Sequence, residues 1–165
     1  MKLTRSEIRK IILQEIKCIL EDTLSSTTAD VRIDKNLDRC LRHEDLIREF
    51  CEFCASFLNI TEPIVIQIIN DRDLEGVRTT ADYNPEDHRI RVYGKNRAIV
   101  DICRSIAHEM THMGQMISGR LKFPVQDAGG EIEDEANAKA GEIIKIFAKS
   151  QPDRKAIYEN KDVTR

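Results

Sequence analysis

Apolar residues in the first part of the chain recur every three to four positions. Leu3, Ile8, Ile11, Ile12, Ile16, Ile19 and Leu20 alternate with charged residues, which predicts an amphipathic helix over residues 4–22 that starts near Thr4 or Ser6. Thr23-Leu-Ser-Ser-Thr-Thr28 has weak helix propensity and reads as a linker. Beyond it, Leu37, Leu41, Leu46, Ile47, Phe50, Cys54, Phe57 and Leu58 resume the helical period. The spacing predicts helix from Asp34 to Leu58 with a break near His43.

The pattern changes at Pro63. Ile64 to Ile69 is dense in β-branched residues, Val77 to Tyr83 is rich in Thr, and His88 to Tyr93 alternates polar and apolar residues. The region predicts two or three strands of a small sheet, with Asn84-Pro-Glu-Asp87 as the turn between the last two. A long helix follows, from Asn96 as N-cap to Ser118, closed by Gly119. After a loop over Leu121–Gly130, a last helix runs from Gly130 to Lys149, before Pro152. The mostly charged stretch from Gln151 to Arg165 is expected to fray. The division expected is an N-terminal helix and linker over 1–28, then one domain over 29–165, with helix over 34–58, strands within 64–93 and two helices within 96–149.

Composition narrows the function classes. A chain of 165 residues buries roughly 70% of its unfolded surface and needs no staple to fold. Lys and Arg number 26 against 29 Asp and Glu, a net charge of −3, which disfavours a broadly basic nucleic-acid binder. No apolar run approaches the ~20 residues of a membrane span. Met1 to Leu20 is charged throughout and lacks a secretory h-region. Five cysteines, at 18, 40, 51, 54 and 103, are an odd set that points to free thiols in a reducing compartment. The expected location is the cytoplasm.

The chemistry sits in His108-Glu109-Met110-Thr111-His112. Histidines at i and i+4 lie on one helical face and can share one zinc, with the intervening Glu placed to take a proton from water. The flanks Ser105-Ile106-Ala107 and Met113-Gly114 are uncharged, so this helix can be buried. A catalytic zinc needs a third protein ligand, and Gly130 to Gly141 supplies an acidic start followed by small residues. If Ala136 and Ala140 face the His helix, Glu133 points to the same side and Asn137 lies one turn on. Glu131 and Glu135 compete for the ligand role, since a register error exchanges them with Glu133. His88–Tyr93 is expected as an edge strand able to pair with an extended peptide. Tyr83, His88 and Tyr93 are the candidates for stabilising a transition state. Cys51-Glu-Phe-Cys54, with Cys40 and His43 upstream, has some likeness to a second metal site, but its spacing fits the apolar face of one helix better. Cys103, five residues before His108, is expected in the core.

Ile106-Ala107-His-Glu-Met-Thr-His-Met-Gly-Gln115 followed by Glu133-Asp-Glu-Ala-Asn137 resembles the paired motifs of gluzincin HExxH metallopeptidases. Among these it is similar to CAAX-processing proteases, ImmA/IrrE-type peptidases and compact phage-encoded domains, over roughly residues 64–149. The resemblance implies an α+β zincin-like domain with a short twisted sheet, one Zn2+ per chain held by His108, His112 and Glu133, Glu109 as general base, Asn137 as outer partner of a ligand histidine, and a protein or peptide substrate. Larger members more often carry Asp where this chain has Asn137. Gln115 and Ser118 stand where the metzincin pattern requires Gly and a third His, which excludes that branch. Met1 to Ile16 is similar to leader helices of phage proteins, some of which direct packaging; the plain reading is a helix packed on the domain or on a second copy. A phage origin would place the protein in the host cytoplasm or the virion. The competing class is a non-catalytic zinc-binding structural or interaction protein.

Overall fold

The computed structural model describes residues 29–34, 37, 44–71, 73, 79–122 and 129–158. The predicted helix over 4–22, the linker, Cys18, Cys40 and His43 lie outside them.

Alternation of side chains builds the sheet. Strand β1 (Ala29–Ile33) was not expected, since five residues with charges at Asp30 and Arg32 give little apolar signal. Its partner is β2 (Ile64–Ile69), in which Ile64, Ile66 and Ile68 are buried and Val65 and Gln67 half-buried. The two pair in parallel, Ala29 opposite Ile64 through Ile33 opposite Ile68. Past β1, the Asp34 N–H donates to the Ile68 carbonyl at 2.9 Å, and the Leu37 N–H closes on the Asp34 carbonyl at 2.8 Å. Of the helix predicted over Asp34–Leu58, the described part is α1 (Glu44–Phe57), and residues 38–43 lie outside the described residues. Helix α1 ends where Asn59 adopts φ 53° and the Ile60 N–H reaches back to the Ala55 carbonyl at 2.9 Å, a left-handed stop that Asn tolerates.

The hairpin of β3 (Ala81–Asn84) and β4 (Arg89–Tyr93) completes a sheet of order β1-β2-β4-β3. β4 runs parallel to β2 and antiparallel to β3. The edge strand is therefore β3 and not β4 as the sequence suggested. A tight turn through Pro85 folds β3 onto the outer side of β4, whose other side is already taken by β2.

Helices α2 (Ile99–Ile117) and α3 (Glu131–Ser150) pack against each other and bury a core with α1 and the sheet. Phe50, Ile66, Ile68, Ile90, Val92, Ile102, Ile106 and Phe147 belong to one cluster. Asn96 is not the N-cap of α2. It sits at φ 57° in the preceding turn, and Ala98 occupies the cap without a side-chain hydrogen bond. The other end of α2 matches expectation. Gly119 takes φ 72°, its N–H meets the Met116 carbonyl at 2.9 Å, and the Arg120 N–H meets the Gln115 carbonyl at 2.9 Å. This paired closure favours glycine, which lacks the Cβ that opposes positive φ.

Cys51, Cys54 and Cys103 are fully buried members of the core, as their helical spacing indicated, and burial holds their thiols well above the usual range. The segment after Pro152 does not fray along its first part. Pro152–Tyr158 forms a 3-10 helix with Ile157 buried. It is held by Arg154, which donates to Glu49 at 2.5 and 2.8 Å and lies 4.6 Å from the Phe147 ring centroid.

Gly94, just after β4, allows a close approach. A Cβ there would stand 2.7 Å from Ile68 Cγ2 and 3.3 Å from Leu37 Cδ1. Ile68 is fully buried and its Cγ2 methyl sits on the branch at Cβ, so it has little room to yield. Gly94→Ala is expected to lower stability by about 1–2 kcal/mol, overpacking outweighing the smaller entropy gain in the unfolded chain. Urea unfolding checks this: the midpoint should fall with an unchanged slope, and an unchanged midpoint would mean that the core absorbs the methyl.

Candidate metal centre

The helical period of α2 sends two sets of side chains in different directions. Ile102, Cys103, Ile106, Ala107, Met110 and Met113 are buried, while Arg104, Ser105, His108, Glu109 and His112 line a cavity of about 720 Å³. Opposite them, α3 buries Ala136 and Ala140 and presents Glu133, Asp134 and Asn137 to the same cavity. Small residues let the two helices approach, and that approach delivers the carboxylate.

His108 Nε2 lies 3.0 Å from His112 Nε2. Glu133 places Oε2 at 3.3 Å from the first and Oε1 at 3.2 Å from the second. Nitrogen and oxygen ligands about 2.0–2.1 Å from a tetrahedral zinc stand about 3.3 Å apart. The donor set and its spacing thus fit a divalent cation such as zinc, and among the described residues this is the one cluster of His, Cys, Asp or Glu able to hold a metal. Burial and the neighbouring His112 lower the His108 pKa, with Glu133 and the Asn137 hydrogen bond opposing; the neutral imidazole is the ligand form.

Neither competing acid joins the cluster. Glu131 is exposed. Glu135 receives both arms of Arg120, at 3.0 and 2.6 Å, and the amide of Gln115 at 3.0 Å. Gln115, which spacing arguments used only to exclude a metzincin, is 3% exposed and meets His112 Nδ1 at 2.8 Å. The signal for it was present but weak: a polar residue one turn after a candidate ligand in an otherwise apolar helix. Asn137 lines the same cavity as His108.

Glu109 lines the cavity beside the triad without belonging to it. Burial, then the carboxylates of Asp82 and Glu133, push its carboxyl up to about 8. Such a group holds a proton far more tightly than an ordinary Glu.

Sheet alternation separates the three transition-state candidates. Tyr83 pairs with Ile90, whose side chain is buried, and Tyr83 lines the cavity. Its hydroxyl lies 3.1 Å from His88 Nδ1, and burial, with Glu62 and Asp87, raises its pKa. His88 is in the turn at φ 49° and reaches the cavity only through Tyr83. Tyr93 falls on the same sheet face as Arg89 and Arg91, opposite buried Ile90 and Val92, and is not brought to the cavity. Its carbonyl instead accepts from Arg97 at 2.9 Å, and the same guanidinium meets the Asp101 carbonyl at 2.8 Å and Ser105 Oγ at 2.9 Å. Arg97 thereby ties the end of β4 to the first turns of α2.

Among the described residues no helix is long and apolar enough to cross a membrane. Comparison with known proteins adds no relative: no protein-family model, curated protein or solved structure matches this chain.

Proposed function

We propose that this protein is a zinc-dependent metallopeptidase of gluzincin type. The observation that carries the reading is the convergence of His108, His112 and Glu133 within hydrogen-bonding distance of one another on a cavity that also exposes Glu109. A zinc ion held by these three residues supplies a Lewis acid that lowers the pKa of water towards ~7 and polarises a scissile carbonyl. Glu109 takes the proton released by the attacking water and returns it to the leaving amine. Tyr83, a protonated donor at the cavity wall, hydrogen-bonds to the oxyanion that develops on the substrate, with His88 Nδ1–H donating to the phenol oxygen so that the hydroxyl hydrogen stays free. An extended peptide adds to the edge strand β3, whose residues Ala81, Asp82 and Tyr83 border the cavity and whose other side is taken by β4. Asn137 orients His108 from the adjoining turn of α3.

A second reading rests on the same triad, since a metal there also staples α2 to α3 and can serve stability alone. An open cavity with a carboxyl beside the triad, which a bound cation would shift towards its ionised form, favours catalysis.

The first test is the metal content of the purified protein by inductively coupled plasma mass spectrometry. The expected result is about one zinc per chain, lost in His108→Ala. Folded wild-type protein that carries no metal and refuses added zinc would remove the reading.

A further inference from the structure

Resting on the metal-site reading above, we propose that Gln115 is a positioning residue that fixes which nitrogen of His112 carries the proton, and that Glu135, clamped by Arg120, sets the Gln115 amide in the orientation this requires.

The Gln115 Nε2 atom lies 3.1 Å from the Ile132 carbonyl and 3.0 Å from Glu135 Oε2. A carbonyl and an ionised carboxylate only accept, so both contacts demand the NH2 end of the amide, and the flipped orientation would lose both. Oε1 is left facing His112 Nδ1 at 2.8 Å. An amide oxygen cannot donate, so Nδ1 must carry the hydrogen. In a neutral imidazole the lone pair is then on Nε2, the atom that faces His108 Nε2 and Glu133 Oε1.

The surroundings hold the chain of contacts in place. Gln115 is almost fully buried, so water does not compete for its amide. Glu135 is fixed by a two-pronged guanidinium contact from Arg120, geometry that sets direction as well as distance. The left-handed closure at Gly119 turns Arg120 back beside α2. Donation therefore converges on Glu135: Arg120 donates to it from one side, and on the other His112 Nδ1–H donates to the Gln115 oxygen and the Gln115 amide to Glu135, which leaves a lone pair on His112 Nε2 at the metal position. Glu135, a competitor for the ligand role on spacing alone, acts two contacts away.

The experiment is zinc affinity of the full chain, measured by competition with a chromophoric chelator. Gln115→Leu is expected to weaken zinc about 10- to 100-fold, the range for loss of an outer partner of a ligand histidine. Gln115→Glu should also weaken it, because two carboxylates then meet at 115 and 135. Adding Glu135→Gln should restore affinity to within about threefold of wild type, since the carboxylate at 115 can accept from both His112 and the new amide. A residue that only holds α2 to α3 would lower the unfolding midpoint of the metal-free protein without moving the affinity of the folded form. Folded Gln115→Leu with wild-type affinity overturns the proposal, as does failure of the double variant to recover.

Where Gln115→Leu does not fold, the wild-type protein still decides. Long-range proton–nitrogen NMR of the metal-free form, above the histidine titration range, should find His112 with its proton on Nδ1; a proton on Nε2 overturns the proposal. Wild-type protein with the Nδ1–H form and no affinity for zinc would uphold the positioning and defeat the metal reading, so the two fail separately.

Discussion

Glu109→Gln is expected to lower peptide hydrolysis by about 10²- to 10⁴-fold while zinc content stays at the wild-type level. The separation follows from position. Glu109 borders the cavity without joining the ligand cluster, so its replacement removes a proton acceptor and no metal donor. Glutamine keeps the shape and removes a carboxyl that burial, Asp82 and Glu133 already disfavour as an anion, so folding should not suffer. A divalent cation in the triad acts the opposite way on that carboxyl and favours the ionised form able to accept a proton. Steady-state assay on a cleavable peptide, alongside metal analysis of the same sample, checks both halves. Undiminished activity would sink the mechanism. Loss of zinc together with activity would mean that Glu109 is a ligand.

Glu133→Ala carries the second large effect. It should weaken zinc more than about 100-fold, beyond what removal of an outer partner achieves, because the carboxylate contributes one of three protein donors and the charge that offsets the cation. Glu131→Ala should leave affinity unchanged, since Glu131 is exposed and outside the cluster. Glu135→Ala should fall between them, by about three- to tenfold, acting through Gln115. Chelator competition on the three variants gives the ranking. Equal losses in all three would show that electrostatics of the acidic turn, and not ligation by Glu133, governs affinity.

The candidate metal cluster was legible in the sequence because it is written in helical spacing. His108 and His112 share a face by the i, i+4 rule, and Ala136 with Ala140 marked the side of α3 that meets α2, which brought Glu133 and Asn137 with it. Strand β2 was readable from its density of β-branched residues, β4 from its alternation, and Gly119 from its place after the last periodic residue. What failed had other causes. β1 has five residues and draws its stability from the parallel ladder with β2. The Pro152–Tyr158 turn is held by Arg154 reaching Glu49 on α1, a partner 105 positions away in the chain. Asn96 fits two local roles, cap or left-handed turn, and the run of chain from β4 into α2 selected the second.

Helical periodicity, a local property of the backbone, was thus enough to place His108 and His112 on one face and Glu133 on the side of α3 that meets it, the three residues that form the candidate metal cluster. Only the tertiary structure decided which strand lies at the edge beside the cavity, which of Tyr83, His88 and Tyr93 reaches it, and that Gln115, Glu135 and Arg120 stand behind His112. Those outcomes depend on sheet order, on which face of a strand meets the helices, and on hydrogen bonds between α2 and α3. All three are set by contacts between segments apart in the chain, and of these residues only Gln115, one turn after His112, left a local trace.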